Sequence, residues 1–161
     1  MPLIKDQRII DNDWQHADET GDLPAGKVTI PVSRWLSERQ VLLSRGDIGL
    51  RLVANDALDT IKDDLPHFAI ISIEFAKFND GRGFSLARLL RERYGYSGEI
   101  RAIGTFLRDQ LYYLQRCGFN AFELAEGADL EDALKAFTSY SIIAQPDVHH
   151  NKETVQAGPW R

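Results

Sequence analysis

From Lys27 onward the chain alternates two patterns: short runs of consecutive apolar residues, and longer stretches whose apolar positions recur every three or four residues. The first pattern belongs to buried strands and the second to amphipathic helices. "KVTIPV" (27–32) predicts a strand, and Ser33 is placed to cap the helix "RWLSERQVLLS", where Trp35, Leu36, Leu42 and Leu43 share a side. "IGLRLVAN" (48–55) predicts a second strand. Asn55 or Asp56 then caps a helix over "ALDTIKDDL", with Leu58, Ile61 and Leu65 on one stripe and Pro66 as its stop. "FAIISIEF" (68–75) is the third strand, followed by a polar loop and a helix facing inward through Leu86, Leu89 and Leu90.

"GEIRAIG" (98–104) is the fourth strand, and "TFLRDQLYYLQRC" a helix with Leu107, Leu111 and Leu114 on one stripe and Gly118 as its left-handed terminus. "FNAFELA" is the fifth strand. Asp129 caps the last helix, "LEDALKAFTSYS", which faces inward through Leu130, Ala133, Leu134 and Phe137. Strands separated by helices are parallel, because each helix is a crossover. The expected fold is therefore a three-layer α/β sandwich of about five parallel strands with helices on both faces. Residues 1–26 read as an N-terminal β arm or hairpin with a turn-rich connector, 27–143 as the α/β domain and 144–161 as a C-terminal tail.

Charge and composition narrow the function classes. A net charge of −5 disfavours an electrostatic nucleic-acid binder. The chain has neither an apolar run long enough to span a bilayer nor a signal-like N-terminus, so a cytoplasmic location without membrane contact is expected. The single cysteine, Cys117, excludes an internal disulfide and fits a reducing compartment. It falls at the end of its helix, where the dipole disfavours a thiolate, so a buried structural thiol is expected. His149 and His150 lack partners at metal-ligand spacing, and His16 and His67 stand alone. No metal site or catalytic triad is nominated.

Ligands of open parallel sheets bind at the carboxyl ends of the strands. The longest and most polar loop at that edge, Ala76–Gly83, offers Lys77, Asn79, Asp80 and Arg82 beside a helix N-terminus, which would suit a small anion. The same "DGRG" run also suits a plain connecting turn. Glu74 and Arg101 are charges within apolar strands, most economically one buried ion pair between strands three and four, with Arg51 able to join. On a functional reading Glu74 or Asp80 is the acid/base candidate. Asp109 and Gln110 open the helix after strand four, over the same edge.

The set Asp80-Gly81-Arg82 with Phe84-Ser85, Gly98-Glu99 with Arg101-Ala102, Gly104, Asp109-Gln110, and Arg116 with Gly118-Phe119 resembles the bacterial family known as domain of unknown function nine-three-four. The resemblance runs from the "LIKDQRII" arm through the last helix. It implies a bacterial protein associated with assimilatory sulfite reduction, whose members are often labelled oxidoreductases. No flavin, haem, iron–sulfur or nicotinamide motif is present, so no cofactor is expected and redox chemistry would reside in a partner. The leading expectation is an accessory protein that binds a small anion or a partner through Lys77, Asp80, Arg82, Arg101, Asp109 and Gln110. That partner would be sulfite reductase or another sulfur-assimilation protein. The alternatives are an enzyme of a small anionic metabolite and a protein–protein adaptor.

Overall fold

The computed structural model describes residues 1–138. The end of the expected last helix, the tail and His149–His150 lie outside the described residues. Among the described residues eight strands form one sheet: β1 (Pro2–Lys5), β2 (Arg8–Asp11), β3 (Gln15–His16), β4 (Val28–Pro31), β5 (Ile48–Leu52), β6 (Ile70–Phe75), β7 (Glu99–Gly104) and β8 (Ala121–Phe122). Four α-helices accompany them: α1 (Val32–Leu42), α2 (Arg82–Glu92), α3 (Leu111–Cys117) and α4 (Leu130–Lys135). The strand order is β2-β1-β8-β7-β6-β5-β4-β3. Strands β3 to β8 are mutually parallel, while the β1–β2 hairpin adds antiparallel to β8.

The strand–helix alternation is present, but the three-layer arrangement is not. Six parallel strands lie side by side in chain order, with no reversal of direction across the sheet. Right-handed crossovers taken repeatedly in one direction all return over the same face. The side chains bear this out. Val28, Ile30, Leu50, Ile71, Ile73 and Ala102 occupy one face and join a single hydrophobic cluster with Trp35 of α1, Leu86 and Leu90 of α2, and Leu111 and Leu114 of α3. The alternate positions form the other face, and they are largely polar: Thr29, Arg51, Ser72, Glu74, Glu99 and Arg101.

A sheet clad on one side only can curl, and here the chain length forces it to. Eight flat strands would set the outer two about 34 Å apart at about 4.8 Å per step. Yet β2 and β3, the outer two, are joined by residues 12–14 alone. Asp11 and Gln15 are four Cα steps apart and can be separated by at most about 14 Å. The sheet therefore bends into a half-barrel, helices outside and a polar trough inside. His16 of β3 and Glu123, just beyond β8, are about 24 Å apart on a flat sheet. Their side chains meet at 3.1 Å across the trough.

Local details separate from expectation: Leu89, expected to face inward, is exposed, as are Leu36, Leu43 and Leu107 of the expected stripes, and three elements differ. The residues expected as a helix over 57–65 form two short 3-10 turns, Leu58–Thr60 and Lys62–His67, with Pro66 inside the second. Leu58, Ile61 and Leu65 still point into the core. Helix α1 begins at Val32 with Pro31 before it, and Ser33 bonds to Glu19 instead of capping. Strand β8 is only two residues long. Asp129 does cap α4, accepting from the Asp132 backbone N–H at 3.0 Å, and Gly118 ends α3 at a φ of 122°. Among the described residues no helix is long and apolar enough to cross a membrane.

Cys117 is fully buried at the end of α3, and burial pushes its thiol above the ordinary value. A thiol reagent should therefore label native protein far more slowly than urea-unfolded protein. Equal rates, followed by mass spectrometry, would show that the α3 end opens without unfolding.

Candidate functional site

The trough is polar because charged residues sit at every second position of strands whose other residues feed the core. Arg51 lies between Leu50 and Leu52, Glu74 between Ile73 and Phe75, and Arg101 between Ile100 and Ala102. Register places Arg51, Ser72 and Arg101 directly beside one another on β5, β6 and β7. The residues two positions further on, Glu74 and Ile103, stand above them at the carboxyl ends of the strands. Gly49 lies low in the trough because the curl leaves no space there: a Cβ would come within 2.4 Å of Ile70 Cγ2.

Arg101 is the centre of a closed network. Its guanidinium is 2% exposed and donates to Glu99 Oε1 at 2.8 Å, Asn12 Oδ1 at 2.8 Å and Glu123 Oε2 at 3.2 Å. Lys5 Nζ holds the second oxygen of Glu99 at 2.8 Å. The expected pair between Glu74 and Arg101 is not formed. Along β7, Glu99 and Arg101 share a face two residues apart, so Arg101 finds its carboxylate on its own strand. Glu74 instead lies diagonally across from Arg51, with 3.8 Å between Arg51 Nε and Glu74 Oε2.

His16, which looks isolated in the sequence, is held at both ring nitrogens. Nε2 lies 3.1 Å from Glu123 Oε1, and Nδ1 lies 2.6 Å from the Thr29 hydroxyl. A carboxylate accepts only, so Nε2 carries a hydrogen and donates to Glu123. The Thr29 hydroxyl is fully buried, so it orients the ring and is sealed from any substrate. The Glu123–His16–Thr29 chain thus closes the trough from β8 to β3.

Glu123 ties that closure to pH. Burial pushes its carboxyl up, but His16 and Arg101 together outweigh burial, so it titrates below its ordinary value of 4.5. A carboxylate with a lowered folded-state value contributes stability that is complete above the ordinary value and is lost as pH falls through the folded one. The stability difference between wild type and Glu123→Gln should accordingly be constant near neutrality and shrink below about pH 4.5. Urea titrations from pH 7 to pH 3 measure it, and a difference independent of pH would mean that Glu123 is not ionised in the native protein.

The carboxyl ends of the strands border an open cavity of about 270 Å³. His16, Arg51, Glu74, Gly104, Glu123 and Glu126 are among its lining residues. A second cavity of about 350 Å³ opens at the opposite ends of the strands, near Leu65, Phe68, Tyr96 and Gly98. Its buried Tyr96 hydroxyl is already satisfied by the Phe68 carbonyl. The strand-end cavity is smaller but carries the charged groups, and parallel α/β sheets bind ligands at that end.

The residues expected to hold a ligand divide into two groups. Glu74 lines the cavity, and Arg101 lies beneath it within the trough. The others form an exposed rim. Asp80 accepts from Arg82 Nε and Nη2 and from the Arg82 backbone N–H, and these bonds draw its carboxyl down to about 2. Arg82 Nη1 donates to Asn55 at 2.6 Å. The amide at the start of α2 is thus occupied by the protein's own carboxylate. Gln110 accepts from the Leu107 N–H and donates to the Phe78 carbonyl, pinning the 76–81 loop to the turn before α3. Lys77 is exposed on that loop, and Asp109 is 89% exposed beside Arg108.

Reasoning from the sequence missed His16, Ser72, Glu99 and Glu123. For Ser72 and Glu99 the signal was there: Glu99-Ile100-Arg101-Ala102 alternates polar with apolar, as do Thr29, Arg51 and Ser72-Ile73-Glu74 with their neighbours. Parallel strands covered on both faces read as continuous apolar runs, so strict alternation marks a face without helices.

A curled, mixed but mostly parallel sheet, clad by helices outside and charged within, defines an α/β half-barrel with an open cavity at its strand ends. The chain belongs to the family described as bacterial protein of unknown function (DUF934), whose model matches residues 49–155. The match starts after the arm, later than the resemblance suggested. It includes Arg51, Ser72, Glu74, Arg101 and Glu123, while Lys5, Asn12 and His16 precede it. No curated protein and no solved structure matches the chain.

Proposed function

We propose that the protein binds a small anion in the strand-end cavity and serves assimilatory sulfite reduction as an accessory component. Arg51 carries the binding half of this reading. Its guanidinium is 18% exposed, and among the described residues its one ion-pair partner is Glu74, at 3.8 Å. That separation is beyond hydrogen-bond distance, so a largely buried cation is left with donors to offer. Beside it the Ser72 hydroxyl is fully buried with no hydrogen-bond partner among the described residues. Buried polar groups without partners are uncommon and call for an explanation. Arg51, a lining residue of the cavity, is thus a seat for oxygen atoms of a ligand, with the Ser72 hydroxyl buried beside it in the sheet.

The association with sulfite reduction is supported by the family resemblance carried by Asp80, Arg82, Arg101, Asp109 and Gln110. In this reading the 76–83 loop, with Lys77 and Arg82, is the positively charged rim that an anion or a partner meets first.

Calorimetry with sulfite and sulfate tests the binding half. Arg51→Ala should weaken binding by roughly ten- to a hundred-fold, the value of a charge-assisted contact. Arg82→Ala, whose guanidinium is committed to Asp80 and Asn55, should weaken it several-fold at most. Binding that ignores Arg51 and collapses with Arg82 would place the anion on the rim. Co-purification from sulfate-grown cells tests the partner, and absence of sulfite reductase subunits would overturn that half.

A further inference from the structure

The cavity holds more negative than positive charge, which a bare anion does not account for. Arg51 is its one arginine, against Glu74, Glu123 and Glu126. Glu123 is spoken for by Arg101 and His16. Glu74 has the Arg51 ion pair at 3.8 Å, too far for a hydrogen bond, and is 42% exposed, so its oxygens keep room for a donor. Glu126 is exposed at the mouth. Two carboxylates with open acceptor oxygens therefore stand beside an arginine with open donors. A simple anion seated on Arg51 would meet repulsion from Glu74 a few ångströms away, whereas a ligand carrying an ammonium next to its carboxylate would satisfy both.

We propose that the cavity is built for a small zwitterion, an α-amino acid or a close analogue. Its carboxylate sits on Arg51, and its ammonium on Glu74 with Glu126 at the mouth. This rests on the anion-site reading and makes it specific. The geometry fits the assignment. Arg51 and Ser72 are register neighbours, and Glu74 is two residues along β6 on the same face, one pleat nearer the opening. The ligand's two charged groups would thus lie along the strand direction, carboxylate deep and ammonium outward. The volume of this open cavity, about 270 Å³, is below the ~300–1,000 Å³ of drug-sized sites, as a small metabolite requires. The apolar lining residues are Met1, Ile103, Leu124 and Ala125, which can meet the ligand's side chain.

The test is a thermal-shift and calorimetric panel on the full chain: the twenty standard L-amino acids, with sulfite, sulfate and acetate as simple anions and ethanolamine as a simple cation. At least one amino acid should bind roughly tenfold or more tightly than every simple anion. Glu74→Gln should abolish most of that advantage while leaving the binding of simple anions unchanged or stronger, and Arg51→Ala should abolish both. If simple anions bind through Arg51 and no amino acid exceeds them, the zwitterion assignment is overturned and the anion site stands. Amino-acid binding indifferent to Glu74→Gln also overturns it. If nothing in the panel binds, the anion-site reading fails too.

Discussion

Replacing Arg101 by methionine is expected to destabilise the protein by about 3–5 kcal/mol, the cost of removing one member of a buried ion-pair network. Arg101 is 2% exposed and Glu99 8%, and Glu123 is held on its other side by His16. Without the guanidinium, two carboxylates stay inside the trough, one with Lys5 and one with His16 as its remaining partner. An uncompensated buried charge is the expensive part, so removing a carboxylate as well should help. Arg101→Met with Glu99→Gln should recover part of the loss. Urea unfolding measures both. Typical domains have only about 5–15 kcal/mol in total, so the single variant should be far nearer its unfolding threshold. A loss below about 1 kcal/mol would instead indicate a network screened by water, as exposed pairs are.

The second large effect is expected at Gly104, the last residue of β7 and part of the cavity wall. Its φ is 89°, in the region side chains rarely adopt, and a Cβ there would lie 2.4 Å from the Phe75 carbonyl oxygen. The next contacts are Phe75 N at 3.1 Å and Phe75 C at 3.2 Å, all main-chain atoms of the neighbouring strand. Backbone cannot swing aside as a flexible side chain does. The same oxygen accepts from the Thr105 N–H at 2.7 Å, a bond the wedge would strain. Conformational strain of about 1–3 kcal/mol and overpacking of about 1–3 kcal/mol make Gly104→Ala worth about 2–6 kcal/mol. Gly127→Ala is the control, since Gly127 has a φ of 81° but nothing within 4 Å of a Cβ. The control should show the conformational part alone. Equal losses in the two variants would mean that β6 and β7 separate easily at the cavity.

Much of the architecture was legible because local chemistry decided it. Asp129 and Gly118 act where their side chain or its absence dictates, and the strand–helix order follows from the hydrophobic period. The 57–65 segment failed for a tertiary reason. Its apolar residues reach the core from two short turns as well as from a helix, and Pro66 does not distinguish the two. The rim of the site was partly legible through the polar 76–83 loop. Its floor was not, because His16 and Glu123 are 107 residues apart and no local pattern joins them.

By itself, then, the sequence determined that parallel strands alternate with crossovers, that one stripe of each helix and every second strand residue is apolar, and where each loop turns. Strand order was left open, and order decided everything about the site. Sequential addition puts all crossovers on one face, the three-residue link between β2 and β3 forces the curl, and the curl turns a row of polar strand positions inward. Only then do His16, Arg51, Glu74 and Glu123 share a cavity. A strand's own period of two says which residues share a face, but what that face meets depends on pairings between residues far apart in the chain.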